Sequence, residues 1–180
     1  MGTNPIDFSL SCENEWLCML ITRLYGFKTA DTQIGRFGSA KALIVRRFDR
    51  LLRNNGKKLF RLPTEELCQA LGIPSVNKYE ADGGPGIASI MNLLRMSSQS
   101  DLDQETFFKT QILFWLLEAT DSHAKNFSVF LEKGGGFHLT PLYDIMSTAP
   151  LTASGVVSPR RIKMAMGLLG KKQTLPLFRH

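Results

Sequence analysis

The sequence has few cysteines, and their arrangement argues against the sites that cysteines most often build. Cys12, Cys18 and Cys68 are odd in number, and no two of them form a C-x-x-C pair. Disulfide frameworks use even sets of cysteines, and structural zinc sites use closely spaced pairs. We therefore interpret the three residues as reduced thiols of a cytosolic protein, packed as small apolar groups.

Long apolar stretches are missing as well. No apolar run approaches the roughly 18–20 residues that cross a bilayer, and residues 1–5 do not open a basic segment followed by an apolar one, as a signal peptide would. The sequence predicts no membrane contact and a cytoplasmic location. Its 180 residues, 43% hydrophobic and 21% charged, fit one globular domain with a substantial core.

Acidic residues are outnumbered by basic ones, since 16 Asp and Glu stand against 22 Lys and Arg and give a formal net charge of +6. Two stretches carry most of the excess: Arg46, Arg47, Arg50, Arg53, Lys57, Lys58 and Arg61, and then Arg160, Arg161, Lys163, Lys171, Lys172 and Arg179. A basic face attracts nucleotides, nucleic acid or an acidic protein, although most such residues simply form a solvated surface. Aromatic residues are not interleaved with these cations as a base-stacking platform, so direct recognition of nucleic acid is not expected.

The most informative stretch has the letters DSHAKN and covers residues 121–126. Asp121 stands five positions before Asn126, and Asp144 follows eighteen residues later, after a hairpin signal. In kinase catalytic loops the first aspartate takes the proton of the attacking hydroxyl, and the asparagine and later aspartate hold Mg²⁺ against the ATP phosphates. The alternative is a capping aspartate, a turn asparagine and a solvated second aspartate. The three residues alone leave both interpretations open.

Apolar periodicity and turn residues predict mixed helices and strands around this motif. Helices are predicted over residues 11–25 and 101–120, and the second is apolar over more than one face, which indicates a central buried helix. The other predicted elements are strands over 34–37 and 42–45, a turn at 54–56, a short helix opening at Pro63, a helix from Ile87, a hairpin over 127–139 and a short helix over 162–169.

Two further stretches are predicted to be structural. Residues 78–86, with the letters KYEADGGPG, are glycine-rich, yet they lack the Gly-Lys-Ser/Thr ending of a phosphate-binding loop, and Pro85 removes a backbone donor. We predict a surface loop used in packing or partner recognition. Arg47, Asp49 and Arg50 are predicted to form a charged turn held by ion pairs, with a structural more than a catalytic role.

Five stretches in the same order together resemble the HipA family of bacterial toxin kinases, whose fold is similar to that of phosphoinositide-type kinases. They are RFDR at 47–50, LPTEELCQ at 62–69, KYEADGGPG at 78–86, TDSHAKNFS at 120–128 and LTPLYD at 139–144. The resemblance implies an α+β, mostly helical fold, with short strands at the hinge and a catalytic β-hairpin. Residues 1–180 would be a single partial C-terminal kinase domain, with the early helix and hinge-side strands in 1–50 and a helical lobe carrying the catalytic loop in 51–180.

The resemblance also implies roles for individual residues. Asp121 is similar to the catalytic base, and Asn126 and Asp144 are similar to the Mg²⁺ ligands. Glu15 resembles an acid that pairs with a nucleotide-binding lysine. The implied nucleotide-binding residues are Val45, Arg46, Arg47 and Phe48 at the hinge, together with Gln69, His123 and Tyr143. Phe48 would form an apolar wall against adenine.

Membership of that family would make the protein an ATP- and Mg²⁺-dependent Ser/Thr kinase of a type II toxin–antitoxin system. The resemblance implies a HipB-like antitoxin as partner, a substrate of the aminoacyl-tRNA synthetase class, and DNA only indirectly through the antitoxin. The family's lysine strand and phosphate-covering loop would fall before residue 1, and its later helices after His180. We therefore expect a segment truncated at both ends that is weakly active or inactive alone. The alternatives are a catalytically dead remnant or an antitoxin-binding module.

Overall fold

The computed structural model describes residues 10–158 and 162–168 of the chain. The helices are α1 (Ser11–Leu24), α2 (Leu67–Ala70), α3 (Ile87–Leu94), α4 (Ser100–Leu116) and α5 (Ala149–Ala153). The strands are β1 (Thr32–Phe37), β2 (Ala40–Val45), β3 (Arg50–Arg53), β4 (Lys58–Arg61), β5 (Thr64–Glu66), β6 (Ser128–Leu131) and β7 (Phe137–Leu139). The described residues are 37% helical and 22% strand, so the fold is mixed, and a mostly helical fold is not confirmed. No helix in these ranges is long and apolar enough to span a bilayer.

The strands of the described residues form three small antiparallel sheets. β1 and β2 pair across the turn at Gly38 and Ser39, as the sequence predicts. β3 and β4 form a second hairpin, for which the sequence indicates only the turn; there Asn54 and Asn55 have left-handed φ values of 55° and 52°, a conformation that asparagine tolerates well. The third sheet has the order β5-β6-β7 and includes the predicted hairpin over 127–139.

The start of α2 differs from the prediction. The sequence predicts a helix that opens at Pro63, but the next three residues form β5, and α2 begins at Leu67. β5 pairs with β6, with Glu65 opposite Val129. The prediction is wrong because pairing with a strand far along the chain overrides local helix signals.

Aromatic packing on one face of α4 forms the centre of the core. The rings of Phe107 and Phe114 lie against that of Phe127, with centroids 5.0 Å and 5.8 Å apart, and all three side chains are fully buried. Each contributes about 1.5–3 kcal/mol by its transfer from water. Because Phe127 directly follows residues 121–126, its burial anchors that stretch to α4. The opposite face of α4 is open, with Ile112 49% exposed, so the predicted central helix is buried on one face only.

The first turn of α1 contacts the segment that follows Asp144. An ion pair between Glu13 and Lys41 joins α1 to β2. The Asn14 amide nitrogen donates to the Ser147 carbonyl at 2.7 Å, and the Asn14 Oδ1 accepts from the Ser147 N–H at 3.0 Å. This paired contact fixes α1 beside the chain that carries Asp144.

Residues 162–168 run beside the chain that leaves α4. The Ala165 N–H donates to the Thr120 carbonyl at 3.0 Å, and none of these seven residues is helical. The predicted helix over 162–169 is therefore wrong for them, because backbone pairing with a neighbouring segment replaces the internal hydrogen bonds of a helix. Leu169 lies outside the described residues.

Candidate active site

The side chain of Asn126 holds together the two loops that carry Asp121 and Asp144. Its Nδ2 donates to the backbone carbonyl of Asp121 and to that of Asp144, both at 3.3 Å. Asn126 is buried, whereas both aspartates are exposed. Nδ2 donates both of these hydrogen bonds, and Oδ1 is the side-chain atom of Asn126 whose lone pairs can bind a cation. The backbones of Asp121 and Asp144 thus meet at the side chain of Asn126, and a shared cation stays a prediction.

Short-range hydrogen bonds shape the turn that contains Asn126. The Ser122 hydroxyl donates to the Ala119 carbonyl at 2.8 Å, and the Asn126 N–H donates to the His123 carbonyl at 2.9 Å. Ala124–Asn126 forms a single 3₁₀ turn that leads into β6. The position of the Asn126 side chain is therefore set by its own turn and by the sheet that follows.

Asp144 adopts a backbone conformation that is uncommon for a residue with a side chain. Its φ of 56° lies in the left-handed region, at a cost of about 1–2 kcal/mol. Contacts on both sides of Asp144 hold the chain in place. Leu142 makes two backbone hydrogen bonds of 2.8 Å, accepting from the Ala30 N–H and donating to the Lys28 carbonyl. On the other side, Ile145 is fully buried. Such outliers concentrate at functional sites.

A second carboxylate, that of Glu15 on α1, lies in the electric field of Asp144. Burial, and secondly the charge of Asp144, raise the pKa of Glu15 to about 7. Neighbouring carboxylates favour protonation of one of the two, and a cation close to both restores their charges. The charge of these two carboxylates therefore favours a cation, either a divalent metal ion or a lysine ammonium group.

The donor set around Asn126 matches the oxygen ligands that Mg²⁺ prefers. Among the described residues, no group of three His, Cys, Asp or Glu side chains is arranged to hold a metal ion. Mg²⁺ commonly uses one or two protein carboxylates and completes its shell with waters and substrate phosphates. A cation held by Asn126 and Asp144 would therefore depend on a bound nucleotide for its remaining ligands.

Two aromatic side chains flank the carboxylate of Asp121. The Tyr79 hydroxyl donates to Oδ1 of Asp121 at 2.6 Å, whereas Nε2 of His123 lies 4.0 Å from Oδ2, beyond hydrogen-bond range. The Tyr79 and His123 rings meet edge to face, with centroids 5.1 Å apart. The hydrogen bond to Asp121 raises the pKa of Tyr79. Burial lowers the pKa of His123, which favours a neutral imidazole at pH 7.

His123 has an orphaned nitrogen beside this turn. Its Nδ1 is buried and has no hydrogen-bond partner among the described residues. Buried polar atoms are nearly always paired, so this nitrogen is a candidate contact for a bound molecule. The residue therefore stays a predicted nucleotide-binding residue.

The predicted hinge residues run from the end of β2 towards the site. Val45 ends β2 and is exposed, and the Arg46 that follows it is exposed as well. Phe48 packs on Tyr143, with ring centroids 5.6 Å apart. Because Tyr143 directly precedes Asp144, the apolar wall predicted at Phe48 lies beside the predicted metal end.

The charged turn after the hinge forms as predicted. The Arg47 guanidinium donates to both carboxylate oxygens of Asp49, at 2.8 Å and 2.7 Å, and Arg50 pairs with the same carboxylate. Asp49 is 3% exposed, and its hydrogen bonds to Arg47 lower its pKa to about 2. Two nitrogens of the Arg47 guanidinium, Nε and Nη2, are thus used in this ion pair.

The polar groups of Tyr143 and Gln69 also have internal partners. The Tyr143 hydroxyl donates to the Lys125 carbonyl at 3.0 Å and lies 2.5 Å from the Ser128 hydroxyl; burial raises the pKa of Tyr143 to about 12. Oε1 of Gln69 accepts from the Glu66 N–H at 3.2 Å and so caps α2, which packs against the turn ending at Asn126. Both residues stay predicted nucleotide-binding residues.

Comparison with known proteins identifies the family to which this chain belongs. The HipA-like C-terminal domain matches residues 3–179, nearly the whole chain. The chain belongs to this family. The resemblance stated from the sequence is therefore confirmed.

Relatives of this HipA-like chain include proteins named as kinases. The putative kinase Y4mE of Sinorhizobium fredii is 33% identical over 169 residues, which cover 93% of this chain and 38% of the relative. The serine/threonine-protein kinase toxin HipA of Shewanella oneidensis is 32% identical over 145 residues, which cover 74% of this chain and 33% of the toxin. The HipA-like chain thus spans about a third of the length of these curated relatives.

Solved structures share the fold of the HipA-like chain. A chain from the Shewanella oneidensis MR-1 toxin–antitoxin complex of HipA, HipB and operator DNA matches with a TM-score of 0.77 and 25% identity, over 87% of this chain and 38% of that one. The Helicobacter pylori proinflammatory kinase CtkA matches with a TM-score of 0.56 and 12% identity, over 77% of this chain and 46% of that one. The second likeness concerns the fold alone.

The sequence does not single out two residues of this candidate site. The first is Tyr79, which contacts Asp121 and lies in the KYEADGGPG stretch. The family resemblance includes this stretch but does not indicate which of its side chains contacts the site. Asn14, which fixes α1 beside the segment after Asp144, has no local signal of this role, because its partner Ser147 is 133 residues away.

Proposed function

We propose that this chain carries the catalytic segment of an ATP- and Mg²⁺-dependent Ser/Thr protein kinase of a bacterial toxin–antitoxin system. The observation that carries the proposal is the Asn126 side chain, which bonds to the backbone of Asp121 and of Asp144. Two loops with acidic residues are thereby kept together on a rigid hairpin, as phosphoryl transfer requires. Relatives named as kinases support this reaction class.

Asp121 is the proton acceptor in this proposal. The hydroxyl oxygen of a Ser or Thr side chain bonds to the γ-phosphorus of ATP, the bond from that phosphorus to the bridging oxygen breaks, and ADP leaves. The hydroxyl proton passes to a carboxylate oxygen of Asp121. The exposure of Asp121 leaves its carboxylate open to a protein substrate, and general-base catalysis of this kind contributes roughly 10²–10⁴ in rate.

Asn126 and Asp144 would hold Mg²⁺ through Oδ1 and a carboxylate oxygen. When bound, Mg²⁺ neutralises charge on the β- and γ-phosphates of ATP. The raised pKa of Glu15 supports a cation at this point, because burial and the field of Asp144 both oppose an unpaired carboxylate there. Glu15 would thus be either a neighbour of the metal or the partner of a lysine.

The adenine end of the nucleotide would lie along the hinge. The backbone of residues 45–47 would meet the base, and the packed rings of Phe48 and Tyr143 would form its apolar wall. Gln69 and His123 would contribute polar contacts towards the phosphates. The orphaned Nδ1 of His123 supports this assignment.

We further propose a HipB-like antitoxin as partner, an aminoacyl-tRNA synthetase as the class of protein substrate, and a cytoplasmic location. The solved complex of HipA, HipB and operator DNA supports the antitoxin, and DNA would then be met only through that partner. The substrate class rests on the family resemblance. Residues 1–180 would act as one partial kinase domain, with the hinge in its first fifty residues.

Nucleotide binding tests the metal end of this proposal. Mg-ATP should raise the melting temperature of the chain, because a ligand that binds only the folded state stabilises it by mass action. Asp144→Ala should abolish the rise. The matched control is Asp101→Ala, which removes an exposed carboxylate at the start of α4 and should keep the rise. An equal rise in Asp144→Ala would contradict the role of Asp144.

Phosphate transfer tests the catalytic end. With labelled ATP and a purified aminoacyl-tRNA synthetase, the chain should transfer phosphate slowly, and Asp121→Ala should not transfer it at all. A chain that binds a HipB-like antitoxin but shows neither an Asp144-dependent shift nor transfer would be a catalytically dead binding module instead.

A further inference from the structure

The glycine-rich loop over residues 78–86 delivers one side chain to the carboxylate of Asp121. The Tyr79 hydroxyl donates to Oδ1 of Asp121 at 2.6 Å, across 42 positions of sequence. The ring of Tyr79 has two neighbours: the His123 ring, whose centroid is 5.1 Å away, and the Lys78 ammonium, which lies 4.8 Å from the ring centroid. The placement of the hydroxyl therefore depends on a supported ring.

The glycines of this loop serve its close packing. The Gly84 N–H donates to the Tyr79 carbonyl at 2.9 Å. A Cβ at Gly84 would lie 2.1 Å from the Asn77 carbonyl oxygen and 2.7 Å from that of Tyr79, which no side chain can do without moving backbone. Glu80 ties the loop to the neighbouring segment, because its Oε2 accepts from the Gly167 N–H at 2.5 Å. The loop is thus a rigid support for Tyr79.

The two oxygens of the Asp121 carboxylate have different surroundings. Oδ1 is bound by Tyr79, whereas Oδ2 lies 4.0 Å from Nε2 of His123, too far for a hydrogen bond. The side chain of Asp121 is 67% exposed, so it would otherwise rotate freely. One anchored oxygen fixes the direction in which the other can accept a proton.

A groove of about 320 Å³ runs past this carboxylate. It is lined by Tyr79, Ala81, Asp82, Thr120, Asp121 and Lys163, among others. Both walls are fixed, one by the packed loop and the other by the Ala165 N–H, which donates to the Thr120 carbonyl. Its volume is at the low end for ligand sites, which begin near roughly 300 Å³, and suits one or two side chains of an extended segment.

We propose that this groove receives the Ser- or Thr-bearing segment of the protein substrate, and that Tyr79 is the positioning residue that holds Asp121 for it. The inference rests on the proposed kinase function. The acceptor hydroxyl lies at Oδ2 of Asp121 and gives its proton there as its oxygen bonds to the γ-phosphorus and ADP departs. Asp82 and Lys163, which carry opposite charges on the lining of the groove, favour a substrate segment with polar side chains.

The substitution Tyr79→Phe tests the positioning role, since it keeps the ring and removes the hydroxyl. With labelled Mg-ATP and dephosphorylated casein as acceptor, kcat should fall about tenfold, while KM for ATP and the melting-temperature rise with Mg-ATP stay unchanged. The matched control is Tyr25→Phe, which removes the hydroxyl of an exposed tyrosine at the end of α1 and should behave as wild type.

An absorbance titration of the tyrosines tests the contact without any turnover. Asp121→Asn should lower the pKa of Tyr79, because the hydrogen bond to the carboxylate is the main cause of its raised value. Asp82→Asn, on the same groove, should leave that titration unchanged.

The substitution Ala81→Trp tests the groove, because Ala81 is exposed on its lining. The larger side chain should raise KM for casein several-fold and leave KM for ATP unchanged. Val76→Trp, at a position 81% exposed outside this lining, is the control and should change neither constant.

The outcomes separate this inference from the proposed function. Transfer that depends on Asp144 and is as fast in Tyr79→Phe as in wild type would overturn the role of Tyr79 and leave the kinase proposal standing. An unchanged casein KM in Ala81→Trp would overturn the groove. A wild-type chain without an Asp144-dependent response to Mg-ATP would overturn the kinase proposal, and the inference with it.

Discussion

Replacing Asn126 with alanine should destabilise the chain by separating the two loops of the site. The substitution removes the hydrogen bonds from Nδ2 to the carbonyls of Asp121 and Asp144, both at 3.3 Å. A typical hydrogen bond contributes about 0.5–1.5 kcal/mol to stability, and these two are longer than the usual distance of about 2.9–3.0 Å. Taking the lower half of that range for each, we expect the free energy of unfolding to fall by about 1–2 kcal/mol.

Urea unfolding measures this loss directly, and thermal unfolding gives a second readout. For a chain of this size, about 1–2 kcal/mol corresponds to a fall in melting temperature of roughly 2–8 °C. The matched control is Asn92→Ala on the exposed side of α3, which should stay within about 0.5 kcal/mol of wild type. A similarly small change in Asn126→Ala would refute the view that this amide holds the loops together.

Two further predictions concern pH. Hydrogen bonds with Arg47 lower the pKa of Asp49 from the ordinary 3.8 to about 2. The ionised carboxylate therefore stabilises the fold fully above about pH 4, and this contribution is lost as pH falls through 2. At pH 7, Asp49→Asn should lower the free energy of unfolding by about 1–2 kcal/mol, a value reduced for solvent screening because Arg47 is exposed. A wild-type free energy of unfolding in urea would contradict this. Burial, and secondly the charge of Asp144, raise the pKa of Glu15 from the ordinary 4.5 to about 7. Because the folded state therefore binds this proton more tightly than the unfolded state, the free energy of unfolding falls as pH rises from about 4.5 to 7. In metal-free buffer at pH 8, Glu15→Gln should gain about 2 kcal/mol over wild type, discounted from about 3 kcal/mol because Glu15 is only half-buried. An unchanged pH slope of unfolding would show that the pKa of Glu15 is not raised.

Turns and helix ends could be predicted from the sequence because their causes are local. The turn at residues 54–56 follows from two asparagines and a glycine that accept positive φ, and the end of α1 follows from Gly26, whose φ is 88°. The hairpin over 127–139 follows from alternating residues around three glycines. Each of these features depends on neighbours a few positions away.

Elements whose state depends on distant partners were predicted less well. The residues after Pro63 have helix-start character, yet they form β5 because β6 offers unpaired backbone groups beside them. The many apolar residues of α4 indicate burial on several sides, but Phe127 and its neighbours cover one face, and Ile112 stays exposed. Sheet pairing and packing partners cannot be read from a local window.

The sequence by itself determined which residues form the candidate site, through the residue types and spacing of Asp121, Asn126 and Asp144, and it predicts their chemistry. The tertiary structure alone decided how that chemistry is arranged. Only folding places the Tyr79 hydroxyl on Asp121, 42 positions away, and Asn14 against Ser147, 133 positions away. These contacts join segments whose meeting depends on the whole core, whereas the motif depends on one short turn and the hairpin that follows it.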